Sequence, residues 1–318
     1  MIRILKKAVR CLLVRYQHYS NKRLLERIKS KKKERNRYQY DASPKVTFII
    51  QFFNKRENIQ KLFSALVLIE HAEIIVIDDG SVDGSYKQWM KLLTKPNHFL
   101  LRSNDLHEVI TYDRALRMAK GNIACLLQDD DIPMDNQWVH EALLLFQHHP
   151  KMIILGGRNG IQVKMPEQPT ENTHSQYTVK DNVGSIPGVA RFRIFEKPIY
   201  SCPSTNIPFM FCSTVNRAPM FVRVSEYLHI GGTDLSFAPF QCDDVEICLR
   251  AWRCGYRVGL YQANFQRNVG VGGMRLFNTT TEPEQSIRNW KKVYDIHQGF
   301  IPEQVDEIVD SANSVIGA

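Results

Sequence analysis

The stretch EIIVIDDGS, Glu73–Ser81, joins a short apolar run directly to a polar turn. Its first five residues, which are mostly apolar, predict a short buried strand. Val46–Phe52 predicts an earlier strand of the same kind, and Asn58–Glu70 has helical spacing between the two. Asp83–Leu93 then predicts a second helix. This order of strands and helices indicates parallel βαβ units with helices on both faces of a sheet.

The same alternation continues along the chain. Further strands are predicted over His98–Leu101, Ile123–Leu127 and Met152–Leu155, with helices over Val109–Lys120 and Gln137–His148. The expected fold class is therefore α/β, with a Rossmann-like, mainly parallel sheet.

Residues 158–205 break the alternation, because they are polar, contain five prolines and lack a clear period. A segment of this length inside a domain is either functional or carries irregular strands. The later predicted elements are an ordered stretch over Phe209–Val215, a helix over Asp244–Arg253, a strand over Arg257–Tyr261, and C-terminal helices over 282–297 and 302–316.

The basic character of the chain belongs to its N-terminal arm. The formal net charge of the chain is +9, yet residues 1–40 hold fourteen Lys or Arg against two acids, and the other 278 residues carry −3. No nucleic-acid partner is therefore expected for the body. Leu5, Val9, Leu12 and Tyr16 recur at helical spacing among basic residues.

Three interpretations of the arm stay open. Residues 1–37 attach peripherally to an anionic membrane surface, form a solvated tail, or act as a mitochondrial presequence. No membrane-spanning segment is expected, because the longest apolar run in the arm is Cys11–Val14. The seven cysteines form no C-x-x-C pair, so reduced, mostly buried thiols and a cytoplasmic location are expected.

Two acidic segments follow predicted strands directly. Asp78-Asp79-Gly80-Ser81 follows the second strand, and Gln128-Asp129-Asp130-Asp131 follows the fourth. In an open parallel sheet, ligands bind beyond the carboxyl ends of the strands, so both segments should open onto one edge.

The aspartate triplet needs a balancing cation, because adjacent like charges raise one another's pKa. Mg²⁺ or Mn²⁺ with oxygen ligands would supply that charge and also bridge the phosphates of a nucleotide. The alternative is the acidic first turn of a helix. Asp79 likewise has two interpretations, a turn that caps the next helix or a hydrogen-bond acceptor for a nucleobase or ribose.

A third acidic group, Asp243, Asp244 and Glu246, begins the predicted helix over Asp244–Arg253. One acid at a helix N-terminus is usually a cap. Three acids exceed what capping needs, so one of them is a candidate general base for an acceptor hydroxyl.

Taken together, these segments resemble glycosyltransferase family 2, with the GT-A fold, from about Val46 to Tyr261. Five motifs appear in the order of the family: the opening strand and turn (Val46–Glu57), IVIDDGSVDGS (Ile75–Ser85), the stretch that ends in the aspartates (Ala115–Asp131), GGTD (Gly231–Asp234) and DDVEICLRAWRCGYRV (Asp243–Val258). The resemblance implies an inverting, metal-dependent transfer of a sugar from a nucleoside-diphosphate sugar, of the UDP type, to the hydroxyl of a glycan or glycoconjugate.

The resemblance also implies roles for single residues. Asp244 is expected to be the catalytic base, with Asp243 as the second candidate. The expected metal ligands are Asp129, Asp130 and Asp131, with Mn²⁺ or Mg²⁺ as the ion. The expected contacts to the sugar nucleotide are Phe53, Asn54, Glu57, Asp79, His107, Asp129, Asp130 and Arg275, and the expected acceptor contacts are Gly231, Gly232 and Asp234.

Two departures from the family pattern bear on these roles. Gln51-Phe52 stands where the family usually has Pro-Thr, and Gln128 stands at the first Asp of its D-x-D-D stretch. The register of the metal ligands is therefore open by one residue. The expected division of the chain is a basic arm over 1–43, a GT-A domain over 44–275 with an acceptor-side insertion at 158–205, and a helical segment over 276–318.

Two other functions remain open. A nucleotidyltransferase would use a similar fold and metal, but it would need a Gly-rich, basic loop after the first strand, where this chain has Gln51–Asn54. A non-catalytic sugar-nucleotide-binding protein would keep the pocket without turnover.

Overall fold

A computed structural model describes residues 22–23, 26–27, 44–165, 178–180, 183–186, 188–267, 269, 281–301 and 303–316. The described residues of 44–94 and 98–316 lie in one compact unit, and the fold below is that of this unit. Residues 22–23 and 26–27 of the arm are helical. The amphipathic pattern over residues 5–16 lies outside the described residues.

The strands are β1 (Val46–Phe52), β2 (Ala72–Asp78), β3 (His98–Arg102), β4 (Ile123–Gln128), β5 (Ile132–Pro133), β6 (Met152–Gly156), β7 (Gly160–Val163), β8 (Thr178–Lys180), β9 (Val183–Ile186), β10 (Ala190–Phe195), β11 (Phe209–Phe211), β12 (Thr214–Val215), β13 (Met220–Arg223), β14 (Arg257–Tyr261) and β15 (Phe265–Gln266). The helices are α1 (Ile59–Leu66), α2 (Ser85–Leu92), α3 (His107–Leu116), α4 (Gln137–His148), α5 (Val224–His229), α6 (Asp243–Arg253), α7 (Thr281–His297) and α8 (Glu303–Ser314). Single 3₁₀ turns lie at Arg56–Asn58 and Leu235–Phe237.

Eight strands form the central sheet in the order β11-β14-β6-β13-β4-β1-β2-β3. The β1–β2, β1–β4, β2–β3 and β6–β14 pairs are parallel, whereas β13 and β11 run antiparallel to their neighbours. The expected α/β class with a mainly parallel sheet is confirmed. The register pairs Phe52 with Asp78 and Gln51 with Gln128, so the polar segments after β1, β2 and β4 begin at the same level of the sheet.

Strand β13 was not predicted from the sequence. It consists of only four residues and lies between β4 and β6, pairing with both in antiparallel fashion. Met220, Phe221 and Val222 are buried there. So short an apolar run carries too little periodicity to be told from a buried loop.

The irregular segment 158–205 contributes most of a second, antiparallel sheet, with the order β12-β7-β10-β9-β8. The stretch Phe209–Val215, predicted as one ordered unit, is divided between the two sheets. Its first three residues pair with β14, and Thr214-Val215 pair with β7. Between them, the hydroxyl of Ser213 donates to the carbonyl of Ile161 at 2.6 Å, which fixes the change of direction.

The C-terminal helices pack on the rest of the unit. Trp290 of α7 stacks on Phe192 of β10, with ring centroids 5.2 Å apart. The amide of Asn313 in α8 bonds to both the N–H and the carbonyl of Phe211, at 2.8 and 2.9 Å, like an additional strand residue. The expected boundary at residues 275 and 276 lies outside the described residues.

Among the described residues, no helix has the length and apolarity to cross a bilayer. Six cysteines fall in this part of the chain, and all are free thiols. Five of them are buried, as expected for small apolar residues, and Cys254 is exposed.

Candidate active site

The loops that follow β1, β2 and β4 meet at one edge of the central sheet. The N–H of Asp79 donates to the carbonyl of Phe52 at 2.9 Å. The N–H of Phe53 donates to Oδ2 of Asp129 at 2.8 Å. The end of β1 therefore lies between Asp79 and Asp129, as the parallel register predicts.

Among the described residues, Lys55 is the nearest cation to the aspartate triplet. Its Nζ lies 2.8 Å from Oδ2 of Asp130 and 3.1 Å from Oδ1 of Asp129, and the lysine side chain is only 2% exposed. Burial raises the pKa of Asp129 to about 6, although Lys55 acts to lower it. Burial also acts to lower the pKa of Lys55, but the attraction of Asp129 and Asp130 raises it overall.

Asp131 is balanced from the opposite side by two arginines. Its Oδ2 lies 3.6 Å from Arg267 and 3.7 Å from Arg158, and its side chain is fully buried. Arg267 is held in place because it also donates to the carbonyls of Ala218 at 3.0 Å and Gly157 at 2.7 Å. The chain thus brings its own cations to the triplet.

The backbone of the triplet is fixed from two directions. The buried amide of Asn58 donates to the carbonyl of Asp129 at 2.8 Å and to that of Val269 at 2.6 Å. The N–H of Val269 donates to the carbonyl of Asp130 at 2.8 Å. Strand β15 pairs with β5 just beyond the triplet. These hydrogen bonds therefore fix the backbone from which the three carboxylates project.

Asp79 is buried and binds the loop that begins α3. Its Oδ1 accepts from the Ser103 hydroxyl at 2.7 Å and from the Leu106 N–H at 3.0 Å, and its Oδ2 accepts from the His107 N–H at 2.9 Å. Both carboxylate oxygens of Asp79 thus accept hydrogen bonds from the protein itself. The contact of Asp79 with a nucleobase stays a prediction.

Other predicted donor contacts surround this loop. Asn54 fixes the turn after β2, because its N–H donates to the Ser81 hydroxyl at 3.0 Å and its Oδ1 accepts from the Val82 N–H at 2.8 Å. Phe53 is half-buried and Glu57 is exposed. The roles of these three residues in donor binding stay predictions.

His107 packs against Phe240, with ring centroids 5.4 Å apart. Burial lowers the pKa of His107, although Asp79 acts to raise it. The imidazole is therefore neutral at pH 7, which makes it a weaker partner for phosphates than a permanent cation. Arg275, the other predicted phosphate contact, lies outside the described residues.

Asp243 and Asp244 begin α6 and have different environments. Asp243 is buried and forms an ion pair with the guanidinium of Arg217. Asp244 is half-buried, and its Oδ2 accepts from the backbone N–H of Arg217 at 3.3 Å. Burial raises the pKa of Asp244, as does Asp243, while Arg217 lowers it. Asp244 is therefore more accessible than Asp243. Its carboxylate is also more basic than that of an ordinary surface aspartate.

Tyr112 of α3 connects the two acidic groups. Its hydroxyl donates to the carbonyl of Leu127 at 2.7 Å, next to the triplet, and the Arg217 guanidinium lies 4.7 Å from its ring centroid. Burial raises the pKa of Tyr112, and Asp129 and Asp130 raise it further. The Asp129–Asp131 loop and the start of α6 thus border one region at the sheet edge.

The loop before α6 is held by α7. The side-chain amide of Asn289 donates to the carbonyls of Phe237, Phe240 and Gln241 at 3.0, 2.9 and 2.8 Å. Gln241 and Cys242 both have positive φ angles, of 73° and 65°. Such a backbone persists only where its surroundings fix it.

The predicted acceptor turn at Gly231-Gly232 follows α5. Its φ angles are 110° and 68°, which favour glycine, and a Cβ on Gly231 would lie 2.8 Å from the Arg250 guanidinium. Arg250 also donates to the carbonyl of Ile230 at 2.9 Å and pairs with Glu246 of α6, so the turn is tied to the helix of the candidate base. Asp234 accepts from the Ser236 N–H at 2.8 Å. Acceptor binding by these residues stays a prediction.

Comparison with known proteins agrees with this geometry. The family described as Glycosyl transferase family 2 matches residues 47–214, which is more than half of the chain. The chain belongs to glycosyltransferase family 2. No curated protein sequence matches it significantly.

Two solved structures are similar in fold. The mannosyltransferase PcManGT from Pyrobaculum calidifontis, solved with GDP-Man and Mn²⁺, is 14% identical, with a TM-score of 0.51 over 88% of this chain and 73% of that one. GalNAc-T7, solved with UDP, GalNAc and Mn²⁺, is 12% identical, with a TM-score of 0.55 over 80% of this chain and 48% of that one. The GT-A fold is thus confirmed for this family 2 chain.

The donor atoms of the triplet suit the divalent ion that this fold implies. Hard cations such as Mn²⁺ and Mg²⁺ prefer carboxylate oxygens, and Asp130 is the most accessible of the three, with its side chain 16% exposed. In the part of the chain that is described, no three Asp, Glu, His or Cys side chains already converge as a metal cluster. A bound ion would therefore share Asp130 with Lys55.

The sequence analysis did not identify several charged or polar residues of the candidate site. They are Lys55, Glu108, Tyr112, Arg158, Arg217 and Arg267. Only Lys55 had a usable signal, because it follows the first strand and so had to lie at the same edge as the aspartates.

Proposed function

We propose that this chain transfers a sugar from a nucleoside-diphosphate sugar to an acceptor hydroxyl, with inversion at the anomeric carbon. The observation that carries the proposal is the shared edge of the sheet. There Tyr112 contacts the carbonyl of Leu127, shortly before the aspartate triplet, and also Arg217, whose backbone N–H binds Asp244. The first group suits a diphosphate and its cation, and the second suits a proton acceptor. An acceptor glycan or glycoconjugate would bind beside α6.

Asp244 is the proposed base. Its carboxylate takes the proton of the acceptor hydroxyl as that oxygen forms a bond to C1 of the sugar. The bond between C1 and the diphosphate oxygen breaks in the same step, and the nucleoside diphosphate leaves with the electron pair. Asp243 is engaged with Arg217, so its role is to position the start of α6.

The leaving diphosphate needs positive charge. Arg158 and Arg267 lie on the Asp131 side of the triplet, and Lys55 lies on the Asp129 side. Mn²⁺ or Mg²⁺ held by Asp130 with Asp131 or Asp129 would add a charge at this place when bound. A UDP-type donor remains the expectation, with Phe53, Asn54, Glu57, Asp79 and His107 around the nucleotide.

The donor is best found by a thermal-shift panel of UDP-, GDP-, dTDP- and CDP-sugars, with and without Mn²⁺. A ligand that binds only the native state raises the melting temperature by mass action. The donor that gives the largest shift is then incubated with the protein, and released nucleoside diphosphate is measured. Binding without release would identify a binding module, and no shift with any donor would refute the proposal.

Asp244→Asn tests the base. It should keep the thermal shift by the donor but lower turnover by at least about 100-fold, since general base catalysis contributes 10²–10⁴-fold. Asp243→Asn serves as the comparison and should mainly lower stability. Because the pKa of Asp244 is raised, the loss of turnover on acidification should begin at a higher pH than an ordinary aspartate would give. Equal turnover by Asp244→Asn and the unmodified enzyme would exclude Asp244 as the base.

A further inference from the structure

Three carboxyl groups lie around Arg217 at the acceptor side of the proposed site. Arg217 forms an ion pair with Asp243, donates its backbone N–H to Asp244 at 3.3 Å, and lies 4.0 Å from Oε2 of Glu108. Glu108 belongs to α3, the two aspartates to α6, and Arg217 to the loop before β13. One positive charge cannot neutralise three negative charges in a partly buried cluster.

Glu108 is the member of this cluster that the protein holds least tightly. Besides the 4.0 Å approach to Arg217, its Oε1 accepts a long bond of 3.4 Å from the Gln241 N–H. Its side chain is 25% exposed, compared with 5% for Asp243. A proton on Glu108 leaves intact the ion pair of Asp243 with Arg217 and the two backbone N–H bonds that Asp244 accepts, at 3.3 and 2.9 Å.

The surrounding charges support the same assignment. Burial raises the pKa of Glu108 to about 7, Arg217 lowers it, and Asp243 and Asp244 raise it further. Tyr112, one turn along α3, also contacts Arg217 and stays neutral, because burial raises its pKa well above the ordinary value. A proton on Glu108 removes one negative charge beside Asp244 and so favours the ionised form of Asp244. Two acids whose pKa values are driven apart commonly divide the roles of base and hydrogen-bond donor.

We propose that protonated Glu108 donates a hydrogen bond to an acceptor oxygen that neighbours the hydroxyl deprotonated by Asp244. This inference rests on the proposed function. It also restricts the acceptor class, because that neighbouring group must be a neutral oxygen, such as a second hydroxyl or a ring oxygen. An anionic group there would lie beside two ionised aspartates, and an ammonium group would find no negative charge on Glu108.

The test compares two acceptors in one reaction mixture. Water offers no neighbouring oxygen, whereas glycerol offers a vicinal diol. The donor chosen by the thermal-shift panel is incubated with excess glycerol, and the ratio of glyceryl glycoside to free sugar is measured. This ratio cancels any change in donor turnover. The proteins compared are the unmodified enzyme, Glu108→Gln, which keeps a neutral N–H donor, and Glu108→Ala, which has none.

At about pH 6 the ratio should be similar in the unmodified enzyme and Glu108→Gln, and about three- to tenfold lower in Glu108→Ala, the loss expected for one neutral hydrogen bond. At about pH 8 the ratio of the unmodified enzyme should fall toward that of Glu108→Ala as Glu108 ionises, while Glu108→Gln keeps its value. Thermal melts verify that both variants fold, and Glu108→Gln keeps the test decisive if Glu108→Ala does not.

Equal ratios in all the folded proteins, a ratio independent of pH in the unmodified enzyme, or hydrolysis without any transfer to glycerol would each overturn the role of Glu108. Failure of the proposed function itself gives a different result. In that case the unmodified protein releases no sugar or nucleoside diphosphate from any donor of the panel.

Discussion

Replacement of Lys55 by methionine tests whether this lysine is the buried counter-ion of the aspartate triplet. The change removes an ammonium group that lies 2.8 Å from Asp130 and 3.1 Å from Asp129 but keeps most of the side-chain volume. Asp129 would keep the N–H of Phe53 as a donor. Because removal of one partner leaves a buried charge without compensation, we expect a loss of about 3 to 5 kcal/mol in the free energy of unfolding at about pH 8.

The loss should depend on pH. The folded-state pKa of Asp129 is already raised to about 6 from an ordinary value of 3.8, and loss of Lys55 would raise it further. A group with a raised folded-state pKa contributes stability at low pH, and that contribution disappears as the pH rises through the folded-state value. Lys55→Met should therefore be much less destabilised at about pH 5 than at about pH 8.

Denaturant unfolding at the two pH values gives the measurement. Lys61→Met is the matched control, because Lys61 lies exposed on α1, where its loss should change stability by less than about 0.5 kcal/mol. The double variant Lys55→Met/Asp129→Asn should recover part of the loss, because it removes the buried charge as well. If Lys55→Met and Lys61→Met unfolded at the same denaturant concentration at about pH 8, the counter-ion role of Lys55 would be refuted.

Three further changes probe other parts of the unit. Asn289→Ala should lower the free energy of unfolding by about 1 to 3 kcal/mol and lower turnover, without reducing the donor-induced thermal shift. Asn289→Asp should be less stable still, because it places a carboxylate against three carbonyl oxygens. Equal stability of the two variants would contradict this account. Gly156→Ala should cost about 1 to 3 kcal/mol, because its Cβ would lie 2.4 Å from that of Val215, and an unchanged melting temperature would show that the sheets separate easily. Asp130→Asn should weaken Mn²⁺ binding by roughly tenfold or more, because even the loss of a residue that only supports a metal ligand has this effect. The Mn²⁺-induced thermal shift measures this binding, and an undiminished shift would show that Asp130 does not bind the ion.

The parallel part of the sheet could be predicted because most of its strands are buried on both faces. Val46–Phe52 and Arg257–Tyr261 are mostly apolar, and the structure gives strands with the same bounds. The helix Gln137–His148 was also correct at both ends. The small sheet could not be predicted in this way, because its strands β7–β10 are only three to six residues long.

The acidic half of the candidate site was accessible from the sequence, whereas its basic half was not. Acids that directly follow a parallel strand must lie at the ligand edge, so their position follows from the topology. Arg158, Arg217 and Arg267 instead reach the site from loops whose course depends on the complete fold. No spacing relates them to the acids that they neutralise, and isolated arginines in a sequence are usually solvated.

The different environments of Asp243 and Asp244 show how the fold distinguishes two residues that the motif leaves equivalent. Adjacent residues of a helix point about 100° apart around its axis. If one of them faces a buried cation, its neighbour must face elsewhere, and here Asp243 meets Arg217 while Asp244 stays half-buried. The amide of Asn289 fixes the loop before α6, and with it the rotation of this helix start. The proposed choice of Asp244 as the base therefore depends on α7, a helix about 40 residues further along the chain, and not on the acidic motif alone.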